Sequence, residues 1–83
     1  HMKQVLTDLA RSIVNKPECV VVTERDDGDT VYLKLMVDEN DLGKVIGKQG
    51  RIAKAVRTIV RAVANRENKR VIVDILENDG EEE

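Results

Sequence analysis

The period of the apolar residues changes along this chain, and the order of those changes limits the fold more than any other feature. Over residues 2–15, Val5, Leu6, Leu9, Ala10, Ile13 and Val14 recur as pairs four apart, the stripe of a helix with one buried face, and Pro17 stops it. Residues 19–25 are rich in Val and Thr, and over residues 30–37 Val31, Leu33, Leu35 and Val37 alternate with Thr30, Tyr32, Lys34 and Met36. Both stretches read as strands, joined into a hairpin through Asp26, Asp27, Gly28 and Asp29, where Gly28 is free to take a positive φ. Asp38, Asn40 and Asp41 place capping side chains and negative charge before Leu42, Val45 and Ile46, a short helix that ends at Gly47. A longer helix over residues 50–65 carries Ile52, Val56, Ile59, Val60 and Val63 on one side and Arg51, Lys54, Arg57 and Arg61 on the opposite arc. Residues 70–76 form a third strand.

The predicted order is therefore αββααβ. The hairpin makes the first two strands antiparallel. A right-handed crossover through two helices leaves the second and third parallel. The expected class is α+β, a three-stranded mixed sheet with three helices packed on one face. At 83 residues the chain buries only about 60% of its unfolded surface, enough for one core and one domain.

Composition narrows the chemistry. Aromatic residues make up 1% of the chain, through Tyr32 alone, which disfavours binding by bases stacked on Phe or Trp. The one cysteine, Cys19, cannot form an internal disulfide and heads a valine run, so it is expected in a core strand; no Cys/His cluster has zinc spacing. The longest apolar run, residues 19–22, is far short of the ~20 residues of a membrane span, and no secretory signal opens the chain. A soluble, cytoplasmic protein is expected, with no cofactor or metal. His1 and Met2 read as the scar of a cleaved expression tag, and His1 is left out of the chemistry.

The formal net charge of −2 hides a strong segregation. Between Lys44 and Arg70 stand nine basic residues and one acid, Glu67, a local charge of +8, so the remainder of the chain carries −10. A basic segment of this kind meets phosphate; the acidic surroundings repel it. Residues 77–83 read as a disordered acidic tail that confers solubility or, more sharply, competes with a polyanion for the basic segment.

Gly47-Lys48-Gln49-Gly50 lies between the two consecutive helices. Without Cβ atoms, glycines let a sugar-phosphate chain approach the backbone, and amides at the next helix N-terminus point at anionic oxygens. Lys48 and Arg51 add charge, and Ile46, Ile52 and parts of Val45 and Val56 offer an apolar wall for bases. By itself Gly-x-x-Gly is equally a tight helix-helix turn with Gly47 as C-terminal cap. In context, the string from Gly43 to Ile52 strongly resembles the signature of the K-homology (KH) RNA-binding domain, whose loop clamps about four nucleotides. The element order resembles the type II, prokaryotic form of that fold, over residues 2–76. Because the chain holds little else, residues 3–76 being a single KH domain, it further resembles the small stand-alone bacterial KH proteins of the KhpA family.

That resemblance implies backbone contact between RNA and Gly47, Lys48, Gln49 and Gly50, and either self-association or pairing with a larger KhpB (Jag/EloR) protein. It also implies an RNA chaperone or post-transcriptional role linked to growth and cell shape. Lys44, Lys48, Arg51 and Lys54 are the expected phosphate contacts by proximity to the loop, whereas Arg57, Arg61, Arg66, Lys69 and Arg70 read as a solvated face. Val45, Ile46 and Ile52 serve either as core or as base contacts. The apolar arc of the long helix is wider than one packed face requires, so Ile59 and Val63 are candidates for a two-fold interface. An enzyme is not expected: no Ser/His or Cys/His pair or metal-ligand cluster is present. A nucleotide P-loop fails too, with three residues between Gly43 and Gly47 instead of four and Gln49 where Ser or Thr belongs. An assembly module that docks a larger KH partner, with RNA contact secondary, is the alternative.

Overall fold

A computed structural model of the chain describes residues 1–78. Among these residues the elements run α1 (Met2–Ile13), β1 (Val21–Asp26), β2 (Thr30–Val37), α2 (Leu42–Ile46), α3 (Arg51–Arg66) and β3 (Arg70–Glu77), with one-turn 3-10 segments at Pro17–Cys19 and Lys48–Gly50. The sheet order is β1-β2-β3, β1 antiparallel and β3 parallel to the central strand. This is the α+β, αββααβ arrangement that the changing period predicts. None of the described helices is long and apolar enough to cross a membrane.

Alternation along β2 decides which face is covered. Val31, Leu33, Leu35 and Val37 point into the core, where they meet Leu6, Ala10 and Val14 of the first helical segment, Val45 of α2, and Val56, Val60 and Ala64 of α3. Thr30, Tyr32, Lys34 and Met36 point to the other face, which carries no helix among the described residues. The core is aliphatic throughout. Each buried Val or Leu contributes about 1.5–3 kcal/mol, so many small side chains do together what a few aromatics do in other domains of this size.

Three local expectations change. Cys19 is half-buried in the 3-10 turn and not in a core strand. Pro17, with its fixed φ, starts that turn, and the Val20 N–H closes it on the Pro17 carbonyl at 3.1 Å, so β1 begins only at Val21. Glu77, assigned by sequence to the acidic tail, pairs with Val37 as the last residue of β3. Residues 79–83, the bulk of that expected tail, lie outside the described residues.

The third change concerns Asp41. It occupies the N-cap position of α2, yet its side chain makes no cap bond. Its carboxylate is instead buried, 1% exposed, and accepts the Asn15 N–H at 3.1 Å on Oδ1 and the Lys16 N–H at 3.0 Å on Oδ2. Those amides belong to the strap that leaves α1, so one side chain ties that strap to the start of α2. The Asn15 amide first, and then the Lys16 amide and the charges of Lys44 and Lys16, hold the carboxyl below its ordinary value despite the opposing effect of burial.

A carboxyl lowered in the native state stabilises the fold fully above its unfolded value of 3.8, and that stability is lost as pH falls through the lowered native value. The urea midpoint of the chain is therefore expected to drop as pH is taken below about 4. Asp41→Asn, which sets an amide donor against one of the two N–H donors, is expected to be less stable at pH 7 and to show a weaker acid dependence. Asp26, also lowered, chiefly by Lys69, contributes with the same sign, so Asp26→Asn is the control. A midpoint for Asp41→Asn equal to that of the unmodified chain at neutral pH refutes the assignment.

Candidate nucleic-acid interface

The loop between α2 and α3 is built from backbone conformations that side chains resist. Gly47 sits at φ 78°, ψ 170°, a region open essentially to glycine alone, and it is the C-cap of α2, donating its N–H to the Gly43 carbonyl at 2.8 Å. A Cβ at this position would collide with Ile52 Cγ1 and lie 2.8 Å from Ile52 Cβ. Gly47 is thus fixed twice, by its torsion angles and by the packing of Ile52. Gly50 is left-handed at φ 74°, ψ 14°, with open space where a Cβ would stand, so only the torsional cost of about 1–2 kcal/mol selects glycine there. Gln49, between them, is also left-handed at φ 57°. Its side-chain oxygen accepts a 3.0 Å hydrogen bond from Arg51 Nη2.

Two consequences follow for charge. Among the described residues no side chain caps the N-terminus of α3; the Gly50 N–H is closed on the Gly47 carbonyl at 3.0 Å and the Arg51 N–H on that of Lys48. Lys44, Lys48, Arg51 and Lys54, the expected phosphate contacts, are all exposed around it. Lys44, Lys48 and Lys54 place their ammonium groups in no ion pair among the described residues. The geometry gathers positive charge around a loop with little side-chain bulk, which suits an extended polyanion.

The apolar wall is narrower than the sequence suggests. Ile46 and Ile52 are 36% and 38% exposed and flank the loop. Val45 is fully buried and Val56 nearly so; Val45 belongs to the core because α2 is only five residues long and has one face to give to α1, α3 and the sheet, and Val56 because it lies with Val60 and Ala64 on the buried side of α3. They support the loop from beneath.

Arg57 departs from the solvated face as well. Its Nε and Nη2 donate to the Val73 carbonyl at 3.1 and 3.0 Å, clamping α3 to the outer edge of β3. Sequence reasoning missed this because a lone Arg in a basic row looks like its neighbours; only the packing of α3 on an edge strand singles it out. Lys69 is likewise occupied, by Asp26 at 3.0 Å. Arg61, Arg66 and Arg70 remain exposed. On the outer side of α3, Ile59 is 45% exposed, while Val63 is half-buried and packs against the core.

Known proteins resemble this chain in sequence and in fold. The family described as KhpA/KhpB, KH domain, matches residues 3–75. The "RNA-binding protein KhpA" of Clostridium perfringens is 52% identical over 75 residues, 90% of this chain and 100% of that protein. The protein of the same name from Aquifex aeolicus is 46% identical over 76 residues, 92% of this chain and 96% of its own length. Among solved structures, Era in complex with MgGDPNP and a segment of 16S ribosomal RNA superposes with a TM-score of 0.66 at 18% identity, over 92% of this chain and 29% of that one. At that identity the likeness speaks for the fold alone, a type II KH fold, and this chain corresponds to less than a third of Era. A family match across nearly the whole domain and relatives of about half-identical sequence place this chain in the KhpA/KhpB family of KH-domain proteins.

Proposed function

We propose that the chain binds short single-stranded RNA through the Gly47-Lys48-Gln49-Gly50 loop. The observation that carries this reading is the loop itself: glycine-only torsion at Gly47, an open approach at Gly50 and the uncapped start of α3, ringed by exposed Lys44, Lys48, Arg51 and Lys54. Relatives of about half-identical sequence bear the name RNA-binding protein, which supports the same ligand and a binding, non-enzymatic role. Phosphates lie against the loop amides and the four cations, and bases rest beside Ile46 and Ile52. With no aromatic platform each nucleotide is held modestly. The setting is cytoplasmic, and the role is that of an RNA chaperone or post-transcriptional regulator.

Pairing raises such an affinity by avidity, and α3 supports a pairing surface. Ile52, Ala55, Ile59 and Ala62 are all exposed and fall on one outer row of the helix, an apolar stripe with small residues between large ones. A second copy of the chain, or a KhpB/Jag-type partner, covers this stripe around Ile59, with Val63 at its margin. The assembly-module alternative uses the same surface and makes RNA contact secondary.

Two measurements test these readings. Fluorescence anisotropy with short single-stranded RNAs is expected to show binding by the unmodified chain, weakening with salt at a log-log slope near −0.7 per phosphate contact. It is expected to show a loss of at least about tenfold for Lys48→Asp with Gln49→Asp, once circular dichroism confirms both fold; about tenfold is ~1.4 kcal/mol. Gly47→Ala is a poorer probe, because the collision with Ile52 disturbs the fold itself. Equal binding by the loop variant removes the loop from the RNA site, and no binding by either chain at low salt favours the assembly module. For the pairing surface, light scattering at tens of micromolar is expected to report a dimer that Ile59→Asp converts into a folded monomer. An unmodified chain already monomeric under those conditions rules out self-association through this stripe.

A further inference from the structure

One face of the sheet carries no helix among the described residues, and the strand register arranges its side chains in rows. Across β2 and β3, Tyr32 stands beside Ile72, Lys34 beside Asp74 and Met36 beside Leu76. β1 extends the same three rows with Arg25, Thr23 and Val21. A charged row therefore lies between two apolar ones. Ile72 and Leu76 are 49% and 44% exposed, Val21 is exposed as well, and Tyr32 and Met36 are half-buried. Large apolar side chains gathered on a face that no helix covers mark an interaction surface.

The charged row limits what can cover this face. Lys34 and Asp74 are both exposed, and neither takes part in an ion pair among the described residues. Arg25 is held on the Tyr32 ring, 4.2 Å from its centroid, and so is not the charge that answers Asp74. Sheets pack about 10 Å apart face to face, a gap that a lysine and an aspartate on opposite sides close between them. Consider two copies related by a two-fold axis that lies between their sheets and runs parallel to the strands, midway between β2 and β3. This operation lays β2 of one copy on β3 of the other at the same level. Lys34 then meets the partner's Asp74, Tyr32 the partner's Ile72 and Met36 the partner's Leu76, and each contact is made twice. An axis perpendicular to the strands through the same row sets Lys34 against Lys34 and Asp74 against Asp74, which like-charge repulsion disfavours.

We propose that the helix-free face binds the same face of a second copy with the strands parallel, and that Lys34 and Asp74 form two reciprocal ion pairs at its centre. The occupant is a second copy because the face is complementary to itself in charge, row by row. It lies on the opposite side of the sheet from α3, so this pairing is separate from the stripe around Ile59. The overlap of β2 and β3 runs for eight residues, about 26 Å by about 10 Å on each partner, which falls short of the about 1,200 Å² in total of a stable interface. The association is therefore weak, in the hundreds of micromolar, and adds to whatever pairing is present at tens of micromolar.

The test is sedimentation velocity with interference optics from tens of micromolar to about 1 mM, a range that covers a weak interface of this size. The mass of the unmodified chain is expected to rise across the range. Lys34→Asp alone and Asp74→Lys alone, each shown folded by circular dichroism, place like charges opposite each other in the pair, and each is expected to weaken the rise at least about tenfold. An equimolar mixture of the two single variants restores opposite charges at both contacts and is expected to regain the rise, which a destabilised monomer does not do on mixing. The double variant Lys34→Asp, Asp74→Lys, which keeps opposite charges side by side within one chain, is expected to associate like the unmodified chain, and it serves if a single variant fails to fold. A constant mass for the unmodified chain up to about 1 mM overturns the proposal. So does association of either single variant equal to that of the unmodified chain, or a mixture that stays at the low mass while the unmodified chain associates.

Discussion

The Asp41 carboxylate sets the position of everything that follows it. The strap after α1 offers the Asn15 and Lys16 amides, which have no partner within the helix that ends at Ile13. Asp41 accepts both, from inside the core, and at the same time begins α2. Its own carbonyl receives the Lys44 and Val45 N–H groups at 3.0 and 3.2 Å, so the short helix hangs from the residue that also holds the strap. A five-residue helix is too short to be stable by itself; it is held by this tie and by the burial of Val45. The loop after α2 therefore inherits its place from a polar contact on the far side of that helix. Gly47 then completes the path: its torsion angles turn the chain back over Ile52, and α3 starts with its Arg51 N–H closed on the Lys48 carbonyl.

Much of this was legible because the chain is nearly all regular structure with short connections. The alternation of Val31, Leu33, Leu35 and Val37 read as a strand, and is one, and the order of periods led to a mixed sheet that the antiparallel β1 and parallel β3 reproduce. The Gly47–Gly50 loop was legible for a different reason: residues that need a positive φ leave a signature that propensity cannot hide. Polar side chains that act at a distance left none. Asp41 looks like any helix cap, because capping is the common use of Asp before a helix, and its real partners are 25 and 26 residues away. Arg57 looks like Lys54 and Arg61, and differs only in facing an edge-strand carbonyl. Val45 was hard to place for a third reason. Periodicity says which face of a helix is apolar, and a short helix wedged between a sheet and two other helices has little face left over.

The aliphatic core and the charge pattern are linked. Without large aromatics, the covered face of the sheet is filled by Val, Leu and Ala in a thin layer, and the molecule measures 34 × 31 × 18 Å. In so flat a domain most charged residues lie close to some part of the surface that meets a partner, and like charges must be segregated if a polyanion is to be attracted at all. The chain achieves this along its length. The loop and α3 hold the basic residues, while acids gather in the hairpin and the turn before α2. Where the two regions meet, at the α3–β3 turn, Lys69 pairs with Asp26 and removes the acid that would oppose the cations beside it.

Two cations of α3 and its following turn are thus spent on the fold, and their placement explains the rest. Arg57 occupies the one edge carbonyl of β3 that lies midway along the helix, so the free edge of the sheet is blocked to another strand at its centre. A strand running beside that edge meets the Arg57 guanidinium on the carbonyl where a backbone N–H would otherwise pair. The same guanidinium ties the middle of α3 to β3 through two hydrogen bonds to one carbonyl. Protection of the sheet edge and attachment of α3 to it are, in this geometry, consequences of a single side chain.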